Sequence, residues 1–160
     1  GFTEFVPLPF VASESPVYLK GRARRGPSFR EAVLMHAVAR IVFHRYISNI
    51  QTSWVKMGHK GVIACLDAGA NDLGGTLMNE SITRAAGAAH GRETNPSMML
   101  DMISDANRIP RPRTTIYKDL NSDRLDTALE AGELSEIINS PAKKYERRDR
   151  RKLIRSSANV

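Results

Sequence analysis

Residues 69 to 87 hold the densest set of side chains able to do chemistry: Asn71, Asp72, the glycine pair Gly74 and Gly75, and Thr76. Asn71 and Asp72 are suited to hydrogen-bond a polyol or heterocycle, while Gly74, Gly75 and Thr76 offer backbone and hydroxyl donors. Adjacent glycines let backbone approach a ligand or take φ angles that a side chain forbids. The same residues also suit a tight turn in which Asn and Asp satisfy local backbone, so two readings stay open. No Gly-Lys-Ser/Thr follows and no dinucleotide fingerprint is present, which excludes both kinds of phosphate-cradling loop.

A second polar row precedes it. On a strand, Asn49, Gln51 and Ser53 share one face while Ile50 and Thr52 share the other. Parallel strands normally bury apolar residues on both faces, so this row implies a polar interior, as in a barrel lumen that holds a polar ligand. An exposed edge strand is the alternative. Glu4 stands between Thr3 and Phe5 on a first strand, where a carboxylate needs a partner; Arg113 is a possible countercharge. His90, on a loop after a strand and helix, is a candidate for substrate contact or proton transfer. His36, Arg40 and His44 form one helical stripe, solvated or facing a barrel. His36 and His44 lie about 12 Å apart by helix rise, too far to share a metal. Cys65 is the single cysteine. It reads as a buried, inert thiol and cannot alone hold a zinc or an iron–sulfur cluster.

These residues need elements to position them. Phe2 to Val6 reads as a strand ended by Pro7 and Pro9. Ser28 and Glu31 form a capping box for a helix whose apolar face is Val33, Leu34, Ala37, Val38, Ile41 and Val42. A strand over 47–53 leads to a helix over 55–68, with Gly69 as its C-terminal cap. A short strand over 70–73 and a helix over 79–86 follow, the latter with Glu80 in its first turn. Asn95-Pro96 opens a helix, and residues 113–117 read as a last strand. The alternation argues for βα units around a parallel sheet, an α/β fold. Beyond Asp119 the pattern weakens to one marginal helix, with Leu125, Leu129, Leu134 and Ile137. Residues 141–155 then carry eight Lys and Arg residues, interrupted by Glu146 and Asp149.

The 160 residues suffice for one domain with a real core. No run of about eighteen apolar residues forms a membrane span, and cytoplasm is the default compartment. A strand that starts at the first residue suggests a fragment. The net charge of +7 resides largely in the C-terminal segment, which reads as a solvated tail; nucleic-acid binding by it is the lesser reading.

Five runs occur in order: Thr3 to Phe10, Phe29 to Arg40, Asn49 to Lys56, Ala70 to Met78, and Arg113 to Tyr117. Together they closely resemble the C-terminal part of FO synthase, in its tyrosine-transferring radical S-adenosylmethionine half. The resemblance covers roughly residues 1–118. It implies the C-terminal portion of a (βα)8 TIM-type barrel over 1–118; residues 119–160, to which it does not extend, read as a charged, partly helical or disordered tail. It also implies S-adenosylmethionine and a 4Fe-4S cluster as cofactors. The implied reaction couples the 4-hydroxybenzyl group of L-tyrosine to 5-amino-6-(D-ribitylamino)uracil, with a ring-closing half or partner acting afterwards. Glu4, Gln51, Ser53, Asn71, Asp72, Gly74, Gly75, Thr76 and His90 are then expected to bind substrate or S-adenosylmethionine. The family's Cys-x3-Cys-x2-Cys loop is absent, so the cluster ligands and the strands before them are expected in an N-terminal portion. A related radical enzyme of the futalosine route to menaquinone is the rival within this chemistry. A piece of barrel leaves strand edges unpaired, so the segment alone is expected to be marginally stable or aggregation-prone.

Overall fold

The structure, a computed structural model, describes residues 1–77, 80–88 and 93–131. The expectations for His90, for Asn79 and for the segment from 132 onward lie outside the described residues. The chain runs β1 (Glu4–Phe5), α1 (Pro16–Leu19), α2 (Phe29–Phe43), β2 (Asn49–Ile50), α3 (Trp54–Asp67), α4 (Ile82–Ala85), α5 (Pro96–Asp105) and α6 (Ser122–Leu129).

β1 and β2 pair in parallel, with Glu4 opposite Asn49 and Phe5 opposite Ile50. The next segment continues the same sheet through one parallel bridge, Gln51 to Asp72. Thr52 N donates to Asp72 O at 2.8 Å and Asn71 N to Ile50 O at 3.0 Å. Mixed helices around a small parallel sheet are therefore observed. The strands are shorter than their sequence runs, and the segment over 70–73 makes a bridge instead of a full strand.

The sheet is two-faced. Phe5, Ile50 and Thr52 point to the helices: Phe5 packs on Phe43 of α2, with ring centroids 5.0 Å apart, and Ile50 and Thr52 are wholly buried. Glu4, Asn49, Gln51 and Asp72 share the opposite face, by register and by alternation. The core behind the sheet is built from α3, α5 and the 70–73 segment, including Trp54, Val62, Cys65, Leu73, Met99 and Met102.

α2 begins as its sequence prescribes: Ser28 Oγ accepts from Glu31 N at 3.3 Å and the Glu31 carboxylate accepts from Ser28 N at 2.7 Å. Its packing face differs from the expected one. α2 buries the row Ala32, His36 and Ala39, with His36 against Cys65 of α3. Leu34, Val38, Ile41 and Val42 stay exposed, Ile41 by 74%. His36 is thus no solvated stripe. It is fully buried, with Nδ1 2.8 Å from Ala32 O and 3.5 Å from Cys65 Sγ.

α3 breaks at Gly58, whose φ of 64° and ψ of 177° no helix contains. Gly69, at φ 115°, ends it as expected. Asn95 caps α5 by accepting from Met98 N at 2.9 Å, and Pro96 opens it without losing a needed donor. Residues 113–117, expected as a strand, form a tight hairpin. Arg113 bridges antiparallel to Asp119, Tyr117 N donates to Thr114 O at 3.1 Å, and Tyr117 takes the left-handed φ of 59°. Arg111 clamps the hairpin by two bonds to Asp119, at 2.6 and 2.8 Å.

Candidate functional site

The polar face of the sheet carries the candidate site. Asp72 lies at its centre with a side chain only 8% exposed, so its charge requires compensation. Gly74 N donates to its Oδ1 at 2.6 Å, which is the turn geometry that Asp favours. Arg113 reaches across from the hairpin and donates through Nε to Oδ2 and through Nη2 to Oδ1, the latter at 2.8 Å. This two-pronged contact fits a planar guanidinium to a carboxylate. The Asp72 hydrogen bond is also the main cause that raises the Arg113 pKa, against the opposing effect of burial.

Tyr117, four residues along the same hairpin, ties it to β1. Its hydroxyl donates to Glu4 Oε2, and its ring lies under the Arg113 guanidinium at 4.0 Å, a cation–π contact. Burial first, and then the hydrogen bond to Glu4, raise the Tyr117 pKa well above the ordinary phenol value. The phenol therefore stays protonated and donates. Arg113 Nη2 lies 3.9 Å from Glu4 Oε2. One hairpin thus connects two carboxylates on strands that do not touch each other.

The remaining sequence-derived residues fall into distinct places. Gln51 stands on the polar face, half-buried; its backbone N donates to Phe5 O at 2.9 Å, and its side-chain amide has no hydrogen-bond partner among the described residues. It is held there because Gly74 leaves room: a Cβ on Gly74 would come within 2.5 Å of Gln51 Nε2. Asn49 Nδ2 donates to Thr3 O at 2.9 Å, which leaves its Oδ1 unpaired among the described residues. Asn71 points to the helix side, where its Oδ1 accepts from Arg40 Nη2 at 2.5 Å and from Ile50 N at 2.9 Å. Arg40 also donates to Gly69 O and Ser48 O, at 2.7 and 2.8 Å, so Asn71 and Arg40 tie α2 to the sheet. Ser53 is the N-cap residue of α3 without a side-chain capping bond. Gly75 and Thr76 are exposed, and Gly75 O accepts from Trp54 Nε1 at 3.1 Å.

A cavity of about 520 Å³ lies between the 70–76 segment, α5, α6 and the hairpin and meets this face at Asp72, while Glu4, Asn49 and Gln51 do not line it. Its lining is mostly apolar, with Met99, Ile103, Pro110 and Leu125, while Asp72 and Arg113 border it. Sequence reasoning found Glu4, Gln51 and Asp72, and named Arg113 as a countercharge for Glu4; its principal partner is Asp72. It missed Tyr117 as a site residue, because nothing in the residue pattern announces that a turn at φ 59° aims the phenol at β1.

The residues present do not fit a metal cluster. The single thiol, Cys65, is wholly buried and burial raises its pKa, whereas a ligand must be a thiolate. Among the described residues no three His, Cys, Asp or Glu side chains gather as a metal site. Among the same residues no helix is long and apolar enough to cross a membrane.

Comparison with known proteins agrees with the resemblance. The family model described as the CofH/MqnC C-terminal region matches residues 1–124. The FO synthase of Streptomyces coelicolor is 45% identical over 139 residues, which are 86% of this chain and 16% of that protein. The FO synthase of Mycobacterium tuberculosis is 53% identical over 117 residues, 73% of this chain and 14% of that protein. The 5-amino-6-(D-ribitylamino)uracil–L-tyrosine 4-hydroxyphenyl transferase of Methanopyrus kandleri is 53% identical over 118 residues, 74% of this chain and 32% of that protein. No solved structure matches. The chain therefore spans between about a seventh and a third of these relatives' lengths. With a model match over more than half of its residues, the chain belongs to the CofH/MqnC C-terminal region family.

Proposed function

We propose that this chain is the C-terminal part of a radical S-adenosylmethionine transferase that couples the 4-hydroxybenzyl group of L-tyrosine to 5-amino-6-(D-ribitylamino)uracil in deazaflavin biosynthesis. The observation that carries the reading is the polar sheet face. Glu4, Asn49, Gln51 and Asp72 line one side of a parallel sheet whose other side sets Phe5, Ile50 and Thr52 against the helices. A packed barrel interior would be apolar, whereas a lumen that holds a ribityl-uracil and an amino acid needs donors and acceptors.

In the complete enzyme, S-adenosylmethionine supplies the radical-initiating chemistry. This chain's residues bind and orient. Gln51 and the open oxygens of Glu4 and Asn49 face the ligand side, the Asp72–Arg113 pair fixes the hairpin over that side, and the apolar helices behind keep it dry. The cluster and its ligands belong to the N-terminal barrel portion, and ring closure belongs to a further radical half or partner. Residues 1–118 form the barrel part and residues 119–160 a charged segment of which α6 is the helical start. The exposed row Leu34, Val38, Ile41 and Val42 of α2 supports the barrel reading, since each helix of a (βα) barrel packs on a neighbour at either side.

The test is an anaerobic assay of the complete, cluster-loaded protein with L-tyrosine, 5-amino-6-(D-ribitylamino)uracil and S-adenosylmethionine. Formation of the coupled product is expected. Turnover of a futalosine-route substrate in its place would transfer the protein to that pathway.

A further inference from the structure

We propose that Glu4 and Asn49 form an ammonium subsite for an α-amino acid, and that Tyr117 and Arg113 are its positioning residues. The inference rests on the reading of the polar face as a cavity wall and goes on to name what part of a ligand that wall takes.

Glu4 and Asn49 are direct cross-strand partners, so their side chains leave the sheet side by side, about 5 Å apart at Cβ. Glu4 has one carboxylate oxygen engaged and one open, and Asn49 has its amide nitrogen engaged and its oxygen open. Glu4 Oε2 accepts the Tyr117 hydroxyl, and Oε1 has no partner among the described residues. Asn49 donates one N–H of its amide to Thr3 O at 2.9 Å, and its Oδ1 has no partner among the described residues. The pair therefore presents two open acceptors, one of them charged, beside the second N–H of Asn49. Such a set selects a group rich in N–H.

Charge decides which one. Glu4 and Asp72 bring two negative charges, and Arg113 neutralises Asp72 through both of its prongs. Arg113 pairs with Glu4 only at 3.9 Å and without a hydrogen bond, so one guanidinium faces two carboxylates and Glu4 is the less compensated of them. A half-buried carboxylate binds a cationic ammonium more strongly than a neutral amine. The hairpin supplies order. The Tyr117 hydroxyl fixes one Glu4 oxygen, and the Arg113 stack at 4.0 Å fixes the Tyr117 ring. The open oxygen is thereby held in place before a ligand arrives, which lowers the ordering cost of binding. Two substrates of the proposed reaction carry an α-ammonium, L-tyrosine and S-adenosylmethionine, while the amino groups of the uracil are neutral.

The test uses the complete, cluster-loaded enzyme and compares KM for all three substrates in the wild type, Glu4→Gln and Tyr117→Phe. Glu4→Gln, which keeps shape and removes charge, is expected to raise KM about tenfold or more for one ammonium substrate, while KM for the uracil stays within about twofold. Tyr117→Phe keeps the ring and both ligand residues, and is expected to raise the same KM about threefold. A shift confined to L-tyrosine identifies it as the occupant, and one confined to S-adenosylmethionine identifies that cofactor. Unchanged KM values for both, or a shift for the uracil alone, overturn the subsite. If Glu4→Gln fails to fold, an unmoved KM in a folded Tyr117→Phe overturns it as well. A wild type that forms no product refutes the parent reading instead, so the two failures are distinct.

Discussion

At the scale of single residues, the site separates side chains that hold the fold from those that have nothing in the fold to hold. Asp72 is of the first kind. Replacing it with Ala would leave Arg113, 24% exposed, beside a lost partner and free the Gly74 amide. An unfolding measurement should show a loss of about 2–3 kcal/mol, near the lower end for broken buried pairs. Gly74→Ala should cost about 1–2 kcal/mol, because φ is +76° and a Cβ there would strike Gln51. Cys65 should not react with a thiol reagent in the native chain at pH 8 and should react once unfolded, since burial raises its pKa and suppresses the thiolate. The phenol of Tyr117 gives a pH dependence with a definite sign. Its native pKa lies above the unfolded value near 10, so its contribution is complete below about pH 10 and is lost as pH rises through the native pKa. Alkaline unfolding curves of the wild type and Tyr117→Phe should therefore converge as pH increases. The alternation of Asn49 and Gln51 made half of this face legible beforehand, because a period of two is fixed by backbone geometry. The Asp72–Arg113 and Glu4–Tyr117 pairs span 41 and 113 positions, distances that no local pattern encodes.

At the scale of elements, the start of α2 was readable and its orientation was not. A capping box is a four-residue interaction, and Ser28 and Glu31 formed it as their spacing requires. Ser28→Ala should accordingly cost about 1 kcal/mol in thermal unfolding. The helix has two apolar sides, and its own sequence does not say which one α3 takes. The row Ala32, His36 and Ala39 is the one buried, with His36 meeting Cys65 of α3. The larger row, Leu34, Val38, Ile41 and Val42, remains for a neighbouring barrel helix on the proposed reading. Ile41→Glu should therefore leave the melting temperature of this isolated chain unchanged and raise its solubility, yet lower that of the complete protein. Equal effects in both would remove the neighbouring helix from the account. The break of α3 at Gly58 and the hairpin over 113–119 were missed for a common reason. Each depends on a left-handed φ, at 64° for Gly58 and 59° for Tyr117, and only the first residue type hints at it.

At the scale of the whole molecule, the sheet is a strip of three parallel segments with a polar face and a helix-packed face, flanked by an apolar helix row that is exposed among the described residues. On the proposed reading these are the lumen face, the packing face and the joint of a barrel that other residues complete. The α/β alternation was legible because each helix and strand carries its own period. Barrel closure, which belongs to the proposed reading, has no such local period. The central claim is that the polar face contacts substrate in a tyrosine-transferring enzyme, and Gln51 isolates it. Its side-chain amide has no hydrogen-bond partner among the described residues, so Gln51→Leu removes no described bond of the fold. The decisive measurement is the rate of coupled product formed anaerobically from L-tyrosine and 5-amino-6-(D-ribitylamino)uracil by the complete enzyme, wild type against Gln51→Leu. The account predicts product from the wild type and a rate at least about tenfold lower from the variant at an unchanged melting temperature. A variant as active as the wild type, or a cluster-loaded wild type without product, would contradict it.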